Sequence, residues 1–267
     1  VPSISDDTKD FLRQAGATHV IDVEEIANPH EDVLYHVFEG AFTKLRVWEQ
    51  TQYEQIIYMD SDTLMLKNSD FLCDCLDVNR CHQHVKGEND TIQTDRICEE
   101  SPSAINMTFP NVAAALDLSA SRGFSTENEF NAGFLVLTPH QQVFKNLVAN
   151  AANVESYTGG NQQLTREMFP NWCKLNATEH NVNANLYQQN PQLWQDINDI
   201  YSTHFTGQVK PCFTFADEFV YEKSPGGKAE RQDPFVRWHE IRKSMLESMN
   251  KAVPDFTDAM SIFATPA

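Results

Sequence analysis

Basic residues are scarce: 20 Lys and Arg stand against 38 Asp and Glu, a formal net charge of −18 over 267 residues. A nucleic-acid partner is excluded on that ground, because phosphate backbones are held by clustered Lys and Arg that this composition does not offer. Any polyanionic ligand must be met by a bound cation or by a few local bases. Apolar runs are short as well, none approaching the roughly 18 residues that span a bilayer, so a membrane is expected to be met only through a segment not present in this chain. Neither an initiator methionine nor a charged-then-apolar leader precedes Val1-Pro2-Ser3, which leaves a removed signal or anchor open. Internal repeats and low-complexity tracts are absent too. What is present, 41% hydrophobic residues, suffices for one sizeable core and a single domain over residues 1–267.

Hydrophobic periodicity predicts an α/β order. Ser3 and Asp6 make an acidic capping box for a short helix that carries Phe11 and Leu12 and stops at Gly16. A strand is expected over residues 18–23, a helix over 41–53 from Phe42, Leu45 and Trp48, and a short buried strand at Ile56-Ile57-Tyr58-Met59. Residues 70–110 lose periodicity and read as a surface insertion. Beyond it come a strand over 130–137, a helix over 140–150, a short helix after Gly159-Gly160, a strand over 200–205 and an amphipathic helix over 235–249. Alternation of this kind points to a sheet flanked by helices.

Met59 is followed by Asp60-Ser61-Asp62, the one place where two aspartates stand two apart. In extended chain such residues project to the same side, so two carboxylates would face one point and could hold a hard divalent cation. A solvated turn gives the same spacing. The run from Ile56 to Leu64 is also similar to the first motif of haloacid-dehalogenase-like phosphatases, with a nucleophilic first Asp and an acidic second. Those enzymes need a later acidic motif, and none downstream fits. Further on, His204-Phe205-Thr206-Gly207-Gln208-Val209-Lys210-Pro211 supplies an imidazole and an ammonium, with Gly207 between them to let the chain turn. That pair suits a metal-bound diphosphate.

Four segments in one order resemble the glycogenin-like family 8 glycosyltransferases. They are Phe42 to Trp48 with Thr51-Gln52-Tyr53 and Ile57 to Leu64; Phe130-Asn131-Ala132-Gly133; Gly159-Gly160-Asn161-Gln162; and His204 to Pro211. The resemblance implies a GT-A, Rossmann-like nucleotide-diphosphosugar transferase fold, with a mixed central sheet flanked by helices. It implies retaining transfer of a hexosyl unit, from glucose, another hexose or a uronic acid, out of a UDP-sugar donor to a glycan or glycoprotein acceptor. Asp60, Asp62 and His204 would ligate Mn2+, or Mg2+ in its place. Lys44, Asp60, Ser61, Gly207 and Lys210 would face the sugar nucleotide, and Asn131, Ala132, Gly133, Gly160 and Gln162 would line the donor-sugar pocket. Gln162, Lys210 and Asn161 stand at the catalytic positions.

The chain departs from the family pattern in two respects. The family's first strand, helix and second strand are expected to be missing before Val1. Asn161 stands where the family carries an acidic residue, which removes a candidate nucleophile and favours front-face attack assisted by the leaving phosphate. A degenerate, sugar-nucleotide-binding relative without turnover remains an alternative. Tyr187 falls near the tyrosine that receives glucose in glycogenin, although an ordinary half-buried tyrosine is preferred. Six cysteines, with sequons at Asn89, Asn106 and Asn176, suggest disulfides and a secretory or Golgi lumen, the cytoplasm being the alternative. Zinc binding by Cys73, Cys75, Cys81, His82, His84 and Cys98 ranks last, and a homodimer is left open.

Overall fold

A computed structural model describes residues 4–30, 40–74, 76, 112–117, 129–156, 160–170, 172–197, 199–206, 210–213 and 233–249. In chain order the elements are α1 (Asp6–Gln14), a 3-10 helix (Ala41–Glu49), β1 (Ile56–Met59), β2 (Thr63–Met65) and a 3-10 turn (Asp70–Asp74). Then follow β3 (Val112–Leu116), β4 (Phe130–Leu137), α2 (Gln141–Asn150), α3 (Gln162–Met168), β5 (Cys173–Leu175) and β6 (Val182–Asn183). The last are α4 (Leu186–Gln189), α5 (Pro191–Asp196), β7 (Ser202–His204), a 3-10 turn (Pro211–Phe213) and α6 (Pro234–Ser248). Among the described residues no helix is long and apolar enough to cross a membrane.

The chain divides into two compact units, one of Val23–Val182 with Asp199–His204, the other of Pro2–Asp22, Asn183–Asn198 and Phe205–Ala267. The first unit holds a four-stranded mixed sheet in the order β1-β4-β3-β5, and a small sheet has the order β2-β7-β6. β4 runs antiparallel to both β1 and β3, and β3 parallel to β5. Val112 and Ala114 point to one face with Phe42, Leu45 and Trp48, whereas Ala113 and Ala115 point to the other with Leu72, Phe134 and Val136. β4 changes faces partway. Phe130 and Ala132 lie on the first face, but beyond Gly133 it is Leu135 and Leu137 that do so while Phe134 and Val136 cross over. The β3–β4 register shifts over the same stretch, as a bulge requires.

Phe42, Leu45 and Trp48 form a helix, but of the 3-10 type and ending at Glu49 rather than continuing to 53. Three residues per turn stack positions i and i+3, so these side chains make one fully buried row. Thr43, whose Oγ1 accepts from Ile26 N at 3.2 Å, and Arg46, whose Nε donates to the Glu24 carbonyl at 3.1 Å, make a second. Lys44 belongs to the third.

The described residues of the second unit are mainly helical, and these helices start on local signals. Ser5 caps α1 by accepting from Thr8 N, so the cap lies two residues beyond the expected Ser3. Asn190 caps α5 ahead of Pro191, and Asp233 caps α6 ahead of Pro234. Phe205 meets Phe235 edge to face at 5.0 Å, and Tyr187 is half-buried with its ring edge-on to Trp194.

Other expectations shift. Residues 18–23 form no strand; Ile21 and Val23 are exposed and their backbone has no ladder, without which alternation alone does not hold a strand. β1 has the expected bounds but is a half-buried edge of its sheet among the described residues, not a buried strand. The expected insertion lies outside the described residues apart from 70–74 and 76, and with it lie Cys75, Cys81, His82, His84, Cys98, Asn89 and Asn106.

Candidate functional site

Two ladders deliver the acidic pair to the histidine. β1 pairs with β4 up to Met59 opposite Phe134, and Asp60 N continues the ladder by donating to the Gly133 carbonyl at 2.8 Å. The chain then turns, Thr63 N donating to the Asp60 carbonyl at 3.0 Å, and enters β2 with Thr63 opposite His204 of β7. Asp60 and Asp62 therefore converge through a tight turn between two sheets, not through the alternation of an extended strand. One ligand atom from each of Asp60, Asp62 and His204 lies within 4.8 Å of the others, and His204 Nε2 is 3.2 Å from Asp62 Oδ1. Ser61 sits exposed at the tip of the turn.

Gly133 makes room for the imidazole. A Cβ there would stand 2.2 Å from His204 Cε1, 2.8 Å from its Nδ1 and 2.9 Å from Asn131 Oδ1. No larger residue fits while His204 keeps its place.

Lys44 reaches the same carboxylate from the 3-10 helix, its ammonium 3.1 Å from both oxygens of Asp60 and 3.3 Å from the Ala132 carbonyl. The Tyr58 hydroxyl donates to Asp60 Oδ1 at 2.5 Å. Burial, reinforced by the neighbouring Asp60 charge, holds this phenol far above the ordinary tyrosine range, so it remains a donor at any physiological pH. Two carboxylates and an imidazole, with a half-buried lysine and a phenol orienting one carboxylate, form a donor set suited to a divalent cation.

The face-changing stretch of β4 is tied to α3. Gln162 accepts from Ala132 N at 3.1 Å through its Oε1 and donates from Nε2 to Asp117 Oδ2 at 3.0 Å, so both ends of its amide are engaged. Asn161 is buried at the start of α3, its NH2 without a hydrogen-bond partner among the described residues, and Gly160 is buried beside it. Asn131 Oδ1 accepts from Gly133 N at 2.9 Å and from Asn181 Nδ2 at 3.0 Å. Lys210 belongs to the second unit, where its ammonium donates to the Phe205 carbonyl at 2.6 Å. Gly159 and Gly207 lie outside the described residues.

Sequence reasoning missed the roles of Tyr58, Asp117 and Asn181. Tyr58 is two residues before Asp60, where alternation puts both on one side, so its contact was open to inference. Asp117 directly follows a strand of small apolar residues that carries no strong β signal, and Asn181 is one of many asparagines between 176 and 190.

The model of glycosyl transferase family 8 matches residues 21–213. Glycogenin-1 of Caenorhabditis elegans is 28% identical over 177 residues, covering 64% of this chain and 32% of that protein. A putative UDP-glucuronate:xylan alpha-glucuronosyltransferase 3 of Arabidopsis thaliana is 22% identical over 233 residues, covering 80% and 29%. The chain thus spans about a third of the length of these curated relatives. The solved glycosyltransferase GlyE of Streptococcus pneumoniae superposes with a TM-score of 0.39 and 16% identity over 84% of this chain and 45% of that one, a likeness too slight to carry an argument.

Proposed function

The chain belongs to glycosyl transferase family 8, and from that premise we propose that it moves a hexosyl or uronosyl unit from a UDP-sugar to a glycan or glycoprotein hydroxyl, with retention at the anomeric carbon. The observation that carries this reading is the convergence of Asp60, Asp62 and His204 within 4.8 Å, with Lys44 on the first carboxylate. These residues would hold manganese, with magnesium as the alternative, and the cation when bound would neutralise the donor diphosphate.

The chain's own side chains supply positioning. Lys44 and Tyr58 fix the Asp60 carboxylate, and Gln162 braces the Ala132 backbone against Asp117. Asn161 offers a buried amide where a carboxylate would be needed for double displacement. An amide can donate a hydrogen bond to a sugar oxygen but cannot form a glycosyl ester, so attack from the front face is the route this residue supports. Lys210 supplies a point charge for the outgoing phosphate, a role carried by the sequence pattern from His204 to Pro211.

Cys173 is disulfide-bonded, which supports an oxidising, luminal compartment. The donor screen includes UDP-glucuronate beside UDP-glucose, because the names of several relatives specify UDP-glucuronate.

The test is manganese-dependent release of UDP from each UDP-sugar. Asp62→Asn is expected to lower it by about a hundredfold or more, the scale of losing one charge-stabilising group. Manganese-dependent binding with no release would establish a binding protein without turnover. Hydrolysis of an aryl phosphate with an acyl-phosphate on Asp60 would establish a phosphatase instead.

A further inference from the structure

Asn181 bears two costs at once. Its backbone is left-handed, at φ 57°, alone among the described non-glycine residues. Its side-chain oxygen is buried with no hydrogen-bond partner among the described residues. Asparagine tolerates the first better than most residues do, but the second carries a desolvation cost that an exposed turn would avoid. Outliers of this kind persist where the surroundings over-determine them, and they gather at functional sites.

What the conformation accomplishes can be read from hydrogen-bond polarity alone. The Gly133 backbone N–H can only donate, and it faces the Asn131 side chain at 2.9 Å, so the atom there must be the oxygen. The Asn181 atom 3.0 Å from that same oxygen must in turn be the NH2 group. The left-handed backbone sets this reach, and it is pinned by the Asn181 N–H donating to Ser202 Oγ at 2.7 Å on β7, two residues before His204. Asn181 thereby turns its own oxygen towards a place where no described residue donates, which accounts for the orphan.

Asn131 is left with both oxygen contacts taken and its NH2 as the one end of the amide able to meet a ligand. It borders the acidic cluster: the point where a Gly133 Cβ would stand is 2.9 Å from Asn131 Oδ1 and 2.2 Å from His204 Cε1. We propose that Asn181 is a positioning residue that locks the Asn131 amide with its N–H donors outward, so that the site accepts a donor-sugar oxygen there and rejects a group that must itself donate. This rests on the transferase reading above. Without Asn181, the Asn131 side chain keeps only the Gly133 contact and can rotate away from it.

Asn181→Gly separates the amide from the backbone, since glycine holds φ 57° at no steric cost. The protein should fold with an unchanged melting temperature to within a few degrees, while KM for the UDP-sugar rises about tenfold, the scale of one misdirected hydrogen bond. Combined with Asn131→Ala, the Asn181→Gly change should add nothing further, because it acts only through Asn131. Wild-type KM in Asn181→Gly, or effects that multiply in the double variant, would overturn the proposal. The Asn131 side-chain NH2 resonances in 15N-labelled protein give a readout independent of turnover and should shift in Asn181→Gly. If the wild-type chain turns over no UDP-sugar, the transferase reading fails by itself, and unshifted Asn131 resonances would overturn the lock by themselves.

Discussion

The two units are specified in different ways. In the second, α1, α5 and α6 each begin on a side chain next to the helix, Ser5, Asn190 and Asp233, and each cap can fail without the others. In the first, Asp60 and His204 meet because Met59 is in register with Phe134 and Thr63 with His204. A register is shared by every residue of a ladder, so a local fault there is transmitted to the site. The contrast predicts that a fault in the ladders of the first unit lowers stability and cation binding together, whereas a lost helix cap in the second lowers stability alone.

Gly133→Ala breaks the comparison most severely. Its Cβ would lie 2.2 Å from His204 Cε1, and forcing a methyl into so close a contact costs about 3 kcal/mol. Urea unfolding should show that loss, and calorimetry should show manganese affinity falling with it. Unchanged manganese binding in this variant would mean that His204 is not held by β4.

Lys44→Met removes the cation 3.1 Å from the Asp60 carboxylate. The lone half-buried charge should cost about 2 kcal/mol in the metal-free protein, and less with manganese saturating, because a bound cation replaces the missing one. Equal losses with and without manganese would separate Asp60 from the metal. Asp233→Ala, which deletes the α6 cap, should cost about 1 kcal/mol and leave manganese affinity at the wild-type value.

Glu179→Gln should have the smallest effect. Burial, with Asp199 adding to it and Asn176 and Lys67 opposing, raises this carboxyl above the ordinary glutamate range. The folded state therefore binds the proton more tightly than the unfolded, and the resulting stability is present in acid and lost as pH rises through the raised value. The glutamine variant should melt slightly higher at neutral pH, and the difference should vanish in acid. A constant difference across that range would remove titration as its cause.

Long periodic elements were legible in the sequence. β4 has the expected bounds and α2 and α6 shift by one residue, because eight to fifteen residues carry enough alternation or helical spacing to be read, whereas the four-residue β1 was read from its apolar run alone. β2, β5 and β6 are two or three residues long and carry no period at all, whereas the strand expected over 200–205 is present as the three residues of β7. The cluster itself was legible as Asp60, Asp62 and His204, but the reason they meet was not. The break at Phe130-Asn131-Ala132-Gly133-Phe134, where the apolar residues change faces, was the one written sign of the bulge. Asn131 and Asn181 interact across the fold, and no local pattern marks one asparagine among many as the partner of another.

The three rows of the 3-10 helix bear on how this segment can vary. With three residues per turn, adding or deleting one residue between Ala41 and Glu49 would turn everything beyond it by about 120°. That would bring a charged row into the core where Leu45 and Trp48 are buried. Changes in length inside this segment are therefore expected to survive only in multiples of three, a reading-frame rule imposed by the pitch of the backbone.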